Sequence, residues 1–395
     1  MRVLIVTKIF PNSLEPLSSP FNRQQFAQLA RLCEVHVLAT IPWFPGASAF
    51  AKWSRAGRLL EVPREERIDG IKVLHPRFAF VPRSPGLSGP LYAASLATTA
   101  LRYRGKVDVV LGSWAYPDGF AAVVLAEMIG VPAVIKLHGS DMNVVARLPG
   151  PRRGLAWALP RAERVVAVSE PLRRAAIDLG AVPDHVDVVP NGIDRARFCP
   201  RDRVEARQAL GLATAGEVVL YIGNVERHKG SLDLVRAFGI LKGRKSVSFV
   251  VVGDGAAMGE CRALASELGV DVSFVGGKPH DEIPRWMAAC DVFVLPSWNE
   301  GTPNVVLEAL ACGRRVVATR VGGTPDVITS DALGVLVPPK DPAALAVAIE
   351  GALSQDYDAD SVSAALAAPD WPESARRLHR SLVNACASNA RLGAA

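Results

Sequence analysis

From residue 292 to residue 310 the chain reads VFVLPSWNEGTPNVVLEAL. Its first four residues form a short apolar run rich in β-branched side chains, which predicts a buried strand. Thr302 followed by Pro303 predicts the N-cap and the first turn of a helix. Ser169 and Asp341 stand in similar positions shortly before a proline, so the strand–loop–helix unit recurs along the chain. The sequence therefore predicts an α/β fold with parallel sheets covered by helices.

The strand-like runs fall into two sets. In the first half of the chain they are Val3–Val6, Val35–Leu38, Ile71–Leu74, Val107–Leu111, Ala133–Leu137, Val165–Val168 and Val186–Val189. In the second half they are Val218–Ile222, Phe249–Val252, Val272–Val275, Val292–Leu295, Val316–Thr319 and Val335–Val337. The 395 residues exceed the ~250–300 residues at which a single hydrophobic core stops growing. We therefore expect two doubly wound domains.

A turn-rich stretch over residues 189–200 separates the two sets of strands. We place the domain boundary there, with residues 1–191 in the first domain and residues 192–371 in the second. Residues 372–395 predict a final helix, which is free to pack back on the first domain. Because ligands of doubly wound folds bind at the carboxyl ends of the strands, we expect the site residues in strand-to-helix loops.

Charge and cysteine content narrow the functional classes. Lys and Arg total 45 against 39 Asp and Glu, a net charge of +6, and no basic block is long enough to bind nucleic acid. An anionic small ligand or an anionic membrane surface fits this excess. The cysteines lie far apart without a CxxC spacing, so we expect neither a metal site nor disulfides. No apolar run approaches the ~18 residues of a spanning helix, and we expect a cytoplasmic protein with at most peripheral membrane contact.

Two carboxylates flank the predicted helix start. Glu300 lies in the loop, and Glu308 lies in the second turn with its side chain leaning back toward the loop. Free amides at a helix N-terminus suit a phosphate, and carboxylates suit pairs of sugar hydroxyls. The pattern indicates a nucleotide-sugar site. The alternative is that both acids are solvated, although Glu308 lies in an apolar run where an acid without a partner is costly.

The two glutamates and the residues around them resemble a segment of the family 4 glycosyltransferases. The matching stretches are Glu300–Glu308, Ala309–Thr319, Gly322–Asp326, Val188–Asp194 and Val251–Gly255. The resemblance implies a GT-B fold, in which two Rossmann-like domains face each other across a cleft. It also implies sugar transfer from a nucleotide-diphospho-sugar with retention of configuration, and without a metal ion or another cofactor.

On the second domain, the resemblance implies that Glu300 binds hydroxyls of the donor sugar, Glu308 the ribose and Lys229 the diphosphate. A cation there would stabilise the leaving group as the glycosidic bond breaks. Many relatives have Arg at the position of Asn224; Arg227 is the candidate to substitute for it, and whether its side chain reaches the diphosphate stays open. The further donor-binding candidates lie at strand ends and at the predicted helix start: Gly223, Asn224, Gly253, Gly276, Gly301, Thr302, Pro303, Asn304 and Val305.

In the first domain, His138 follows a predicted strand within a His-Gly-Ser-Asp string. The resemblance places this histidine near the reacting carbon of the donor sugar, so it joins Glu300, Lys229 and Arg227 as a catalytic candidate. Relatives usually have Gly where this chain has Ser18 or Ser19. The candidates on the acceptor side are Ser19, Arg23, Trp114, Tyr116 and Asp141. For Asp141 the alternative is that it caps the following turn.

The loop over residues 10–24 resembles a subgroup that builds bacterial surface polysaccharides and teichuronic acid, which implies a glycan or lipid-linked acceptor. Two alternatives stay open: a sugar-nucleotide epimerase on the same fold, and a non-catalytic nucleotide-sugar binder. The chain lacks the glycine-rich motifs of dinucleotide-dependent oxidoreductases and of P-loop nucleotide hydrolases. Residues 358–360 have the DxD spacing of metal-dependent transferases, but we interpret them as solvated surface.

Peripheral membrane contact is a further hypothesis. Residues 89–106 and 152–161 combine apolar and aromatic side chains with Arg and Lys, a composition typical of helices that lie in a membrane interface. The alternative is that both are ordinary surface helices.

Overall fold

The computed structural model describes residues 1–47, 54–81, 84–243 and 247–392. Residues 393–395 of the predicted final helix lie outside the described residues. The chain divides into two compact units: Met1–Gly192 with Trp371–Ala395 form the first, and Ile193–Asp370 form the second.

The first unit is built on a mostly parallel sheet. Its strands are β1 (Arg2–Thr7), β2 (Glu34–Ala39), β3 (Ile41–Trp43), β4 (Glu65–Ile68), β5 (Ile71–Leu74), β6 (Arg77–Ala79), β7 (Val109–Ser113), β8 (Ala133–Leu137), β9 (Arg164–Ala167) and β10 (Val186–Val188). The main sheet has the order β10-β9-β8-β7-β1-β2-β5-β4, and β3 pairs separately with β6. All these pairs are parallel except β4 with β5. The strand order reverses between β1 and β7, which places a crevice for ligands at their carboxyl ends.

Helices cover the first sheet. They are α1 (Pro20–Leu29), α2 (Arg55–Arg58), α3 (Pro85–Leu101), α4 (Phe120–Ile129), α5 (Ser140–Asn143), α6 (Pro149–Ala158), α7 (Glu170–Asp178) and the last helix of the chain, α16 (Trp371–Leu392). Leu378 and Leu382 of α16 are fully buried in the same core cluster as Phe26 and Leu29 of α1. The last helix is thus part of the first unit.

The second unit is a doubly wound sheet. Its strands are β11 (Glu217–Ile222), β12 (Val247–Val252), β13 (Val272–Gly276), β14 (Val292–Leu295), β15 (Arg315–Thr319) and β16 (Gly334–Val337), in the order β13-β12-β11-β14-β15-β16 and all parallel. Its helices are α8 (Arg203–Leu210), α9 (Ser231–Leu241), α10 (Met258–Leu268), α11 (Ile283–Ala289), α12 (Asn304–Ala311), α13 (Thr324–Val327), α14 (Pro342–Leu353) and α15 (Ala359–Ala365). The strand order reverses between β11 and β14, and we call this place in the sheet the switch point. The loops that follow these two strands lie there, where doubly wound folds bind their ligands.

The apolar runs account for the strands well. Ile71–Leu74, Ala133–Leu137 and Val292–Leu295 are strands with the predicted bounds. Val292–Leu295 is apolar and buried on both faces because helices cover both sides of its sheet, whereas Lys72 and Lys136 interrupt the other two strands. The short strands β3, β4 and β6 were missed, since their polar or proline-containing sequences carry little β signal.

One of the three predicted helix starts differs from the prediction. Pro303, not Thr302, is the N-cap of α12, because its extended backbone leaves its carbonyl free to accept the N–H groups of Val306 and Leu307 at 2.9 and 3.3 Å. Ser169 is the N-cap of α7 as predicted, although its hydroxyl forms no capping hydrogen bond. Asp341 caps α14 as predicted, since its carboxylate accepts the N–H of Ala344 at 2.9 Å.

The predicted fold class is confirmed: the described part of the chain forms two α/β units with largely parallel sheets. Among the described residues, no helix combines the length and the apolar character that crossing a membrane requires.

Candidate functional site

An ion pair joins the two loops at the switch point of the second unit. Lys229 ends a single helical turn, Arg227–Lys229, in the loop after β11, and Glu300 lies in the loop after β14. The Nζ atom of Lys229 is 2.8 Å from Oε1 of Glu300. The Glu300 side chain is 11% exposed and that of Lys229 is 27% exposed. Both predicted groups are therefore partly shielded from water and held against each other.

Close backbone packing fixes these loops. A Cβ atom on Gly322 would lie 1.8 Å from the carbonyl oxygen of Glu300, and the N–H of Gly323 donates to the carbonyl of Gly301 at 2.8 Å. Similarly, a Cβ atom on Gly253 would lie 1.9 Å from the carbonyl oxygen of Gly223. Glycine is required at such approaches because any side chain would collide with the facing backbone. The loops that carry Lys229 and Glu300 are thus closely fitted to their neighbours.

Glu308 has a partner that the sequence did not indicate. It lies in the second turn of α12, and its Oε1 atom is 3.0 Å from Nε2 of His280, which precedes α11. The ring of His280 also contacts Phe198, with 5.4 Å between the ring centroids. The hydrogen bond with His280 thus offsets the unfavourable free energy of placing a carboxyl group in an apolar helix. Nothing in the local sequence around His280 signals this contact, because the two residues meet only through the fold.

Arg227 forms its ion pair outside the Lys229–Glu300 pair. Its side chain is 68% exposed, and its guanidinium group pairs with Glu260 of α10 at 2.7 Å. The side chain of Asn224 is exposed, and the backbone carbonyl of this residue accepts a hydrogen bond from the hydroxyl of Tyr221 at 2.7 Å. The structure therefore brings Lys229 and Glu300 together but pairs Arg227 with a different acid, and its action on a diphosphate stays a prediction.

The remaining donor-side candidates occupy the expected strand ends. Gly223, Gly253 and Gly276 lie at the carboxyl ends of β11, β12 and β13, and each has a positive φ angle. At the start of α12, Gly301 and Pro303 are buried, while Thr302, Asn304 and Val305 are partly exposed. Within the described ranges, no cluster of three or more His, Cys, Asp or Glu residues is arranged to hold a metal ion.

In the first unit, Asp141 organises the loop after β8. Its buried carboxylate accepts the backbone N–H groups of Ala115, Gly139 and Met142 at 2.9, 2.6 and 3.0 Å, and that of His138 at 3.1 Å. Burial raises the pKa of this carboxyl group, while the N–H groups act in the opposite direction. The structure thus fits the alternative that Asp141 caps its own turn, and it also ties that turn to the loop after β7.

His138 lies close to two aromatic rings. The imidazole centroid is 5.1 Å from that of Phe21 and 5.9 Å from that of Trp114. The ammonium group of Lys8 lies 5.3 Å from the centroid of the Trp114 ring. Burial, together with the neighbouring cation Lys136, lowers the pKa of His138 well below its usual value. The imidazole is therefore neutral near pH 7.

The other acceptor-side candidates have separate surroundings. Tyr116 is 2% exposed, and its hydroxyl donates to the carbonyl of Gly86 at 3.0 Å. Arg23 forms two bonds of 2.8 Å with Asp69. Ser19 adopts a left-handed conformation with a φ of 49°, which glycine adopts at lower cost than serine. The structure brings Trp114, but not Tyr116 or Arg23, into contact with the His138 ring.

Several polar residues around His138 were missed by sequence reasoning: Asn22, Gln25, Ser113 and Lys136, all of them buried. Asn22 and Gln25 are three positions apart and therefore share a face of α1. Lys136 interrupts an otherwise apolar strand, which was the available signal. It donates a hydrogen bond to the Gln25 amide oxygen.

Comparison with known families agrees with this geometry. Residues 23–197 match the model described as Glycosyltransferase Family 4, and residues 216–355 match the model described as Glycosyl transferases group 1. A putative teichuronic acid biosynthesis glycosyltransferase, TuaC of Bacillus subtilis, is 32% identical over 356 residues, covering 88% of each chain. The chain belongs to the family 4 glycosyltransferases.

Two further relatives extend the comparison for this glycosyltransferase. The D-inositol 3-phosphate glycosyltransferase of Acidothermus cellulolyticus is 35% identical over 296 residues, covering 70% of this chain and 66% of the relative. The crystal structure of Anabaena HepE in complex with UDP superposes with a TM-score of 0.74 at 20% identity, covering 97% of this chain and all of that one. The structural likeness confirms the GT-B class of the glycosyltransferase.

Proposed function

We propose that this glycosyltransferase moves a sugar from a nucleotide-diphospho-sugar to a glycan or lipid-linked acceptor in bacterial surface polysaccharide synthesis, with retention of anomeric configuration and without a metal ion. The observation that carries the proposal is the Lys229–Glu300 pair at the switch point of the second unit. A cation and a carboxylate side by side suit a diphosphate joined to a polyhydroxyl sugar. The UDP held by Anabaena HepE supports this donor class, and the TuaC match supports the pathway class.

In this proposal, Lys229 exchanges its contact with Glu300 for the donor diphosphate. The C1–O bond of the sugar breaks, its electron pair stays with the diphosphate, and Lys229 stabilises the resulting charge. Glu300, released from the lysine, accepts hydrogen bonds from sugar hydroxyls. The acceptor hydroxyl then bonds to C1 on the face that the diphosphate left, and its proton passes to a leaving phosphate oxygen. Glu308, oriented by His280, accepts the ribose hydroxyls.

The acceptor proposal includes contact with an anionic membrane. Helices α3 and α6 start against each other, since a Cβ atom on Gly86 would lie 3.3 Å from the Cα atom of Gly150. Leu87 of α3 and Leu148, just before α6, are 56% and 42% exposed. Exposed apolar side chains at two adjoining helix starts suit insertion into the headgroup region of a bilayer.

Neutralising two basic residues beside this patch tests the membrane proposal. Arg152 and Arg153 are exposed on the first turn of α6. Because an interfacial cation contributes about 1 kcal/mol near an anionic surface, we expect R152Q/R153Q to weaken binding to phosphatidylserine vesicles by roughly 30-fold in co-sedimentation. The matched control is R376Q/R377Q, an adjacent arginine pair on α16. Equal binding by both double variants and the wild type would contradict the proposal.

A thermal-shift panel of UDP-, GDP- and ADP-sugars tests the donor proposal, because a ligand that binds only the folded state raises Tm. We expect one nucleotide series to raise Tm, and the free nucleoside diphosphate of that series to retain much of the shift. The same sugars are then incubated with the protein and no acceptor. Release of a free epimer would favour the epimerase, whereas binding with no transfer in any membrane extract would favour the non-catalytic binder.

A further inference from the structure

A chain of hydrogen bonds ends on one nitrogen of His138. Nε2 of His138 is 3.0 Å from the hydroxyl oxygen of Ser113, the last residue of β7. That hydroxyl is 3.2 Å from Oδ1 of Asn22 on α1, and Nδ2 of Asn22 is 2.9 Å from the carbonyl oxygen of Ile9. Asn22 and Ser113 are fully buried, so water does not offer them alternative partners.

The carbonyl of Ile9, at the end of this chain of hydrogen bonds, fixes which atom donates in each of them. The carbonyl of Ile9 can only accept, so the amide of Asn22 must turn its NH2 group toward Ile9 and its oxygen toward Ser113. An amide oxygen can also only accept, so the single proton of the Ser113 hydroxyl points to Asn22. The Ser113 oxygen then has only lone pairs left for the imidazole, which must donate from Nε2.

We infer that Asn22 and Ser113 are positioning residues that hold His138 in the Nε2–H tautomer, so that Nδ1 offers its lone pair to a hydroxyl group of the sugar substrate. Among the described residues, Nδ1 of His138 has no hydrogen-bond partner. The flanking rings of Phe21 and Trp114 restrict rotation of the imidazole, which keeps Nδ1 in one direction. The tautomer is a property of the free protein, whereas the sugar ligand rests on the proposed function.

The neutral state of the imidazole supports the same inference. A protonated ring would donate from both nitrogens and could not accept a hydroxyl proton. Burial and the nearby Lys136 lower the pKa of His138, so the ring keeps one lone pair. With Nε2 committed to Ser113, that lone pair lies on Nδ1. The imidazole of His138 therefore accepts a hydrogen bond from a substrate hydroxyl through Nδ1 and does not donate one to it.

The tautomer is measured directly by long-range 1H–15N correlation spectra of protein labelled with 15N-histidine, in which the two tautomers give different patterns. The chain has 7 histidines, and the His138 signals are assigned by their loss in H138Q. We expect the Nε2–H pattern in the wild type and in S113T, and a mixture of tautomers in S113A. N22L removes the acceptor of the Ser113 proton at a similar side-chain size and should likewise give a mixture of tautomers.

The control is S169A, which removes a buried hydroxyl that follows β9 and has no hydrogen-bond partner in the described part of the chain. It should leave the His138 pattern and the sugar-transfer rate unchanged, while S113A lowers kcat/KM by roughly 10-fold or more and S113T restores it. An Nδ1–H pattern in the wild type, or an unchanged pattern in S113A, would overturn the inference. If S113A does not fold, the wild-type and N22L spectra still decide it. If the tautomer is found and no sugar is transferred, the proposed function fails and the tautomer assignment stands.

Discussion

Replacing Lys229 by alanine will lower kcat/KM for sugar transfer by roughly 10²–10³-fold, the loss typical of removing one preorganised group that stabilises a developing negative charge. The reason is geometric. Lys229 is held at the switch point by Glu300, 2.8 Å away, so the cation is in place before the diphosphate leaves. Steady-state kinetics with the donor identified by the nucleotide-sugar panel measure the effect.

A second substitution separates charge from contact in the same pair. E300Q keeps an oxygen for the lysine and for sugar hydroxyls but removes the negative charge, so we expect a smaller loss than that of K229A. The matched control is K72A, which breaks an exposed Lys72–Glu65 pair of 3.0 Å in the first unit and should leave transfer unchanged. Wild-type activity in both K229A and E300Q would refute the assignment of this pair.

Gly322→Ala will lower both activity and stability. The new Cβ atom would lie 1.8 Å from the carbonyl oxygen of Glu300, and the φ angle of +50° is one that alanine adopts at a cost of roughly 1–2 kcal/mol. Because the facing atom is backbone, the loop of Glu300 must move to relieve the collision. We expect kcat/KM to fall by about two orders of magnitude, as misplacement of a reacting group by ~1 Å costs roughly that much, with a lower Tm.

The control for this prediction isolates backbone strain. Gly211 has a similar φ angle of +67°, but a Cβ atom there meets nothing within 4 Å. G211A should therefore lower Tm by the cost of the φ angle alone and leave kcat/KM unchanged. Equal losses of activity in G322A and G211A would mean that the contact with Glu300 does not position the glutamate.

The strands and the site loops could be predicted because their signals are local. A buried parallel strand is a continuous apolar run, and the carboxyl ends of such strands locate the loops that hold Lys229, Glu300 and His138. The local pattern around residues 300–308 was also sufficient to place Glu308 in the second turn of its helix. The pairing of Lys229 with Glu300 was not predicted, because strand order, not sequence distance, makes β11 and β14 neighbours.

Contacts between distant elements explain the rest. Glu308 was expected to lean toward the loop of Glu300, yet it bonds to His280, whose position depends on how the segment before α11 packs. The family resemblance grouped Tyr116 with the acceptor-side residues, and the fold buries it against the backbone of α3. Asn22 and Ser113 carry no motif, and their role depends on a chain of hydrogen bonds through three separate elements.

Proton NMR of a reaction that contains the identified nucleotide-sugar and a bacterial membrane extract tests sugar transfer most directly. We expect the nucleoside diphosphate to appear together with an equal amount of a new glycosidic anomeric signal, which has the configuration of the donor and needs the extract. Consumption of the donor to a free or epimerised sugar without an acceptor, or a product of inverted configuration, would contradict the account.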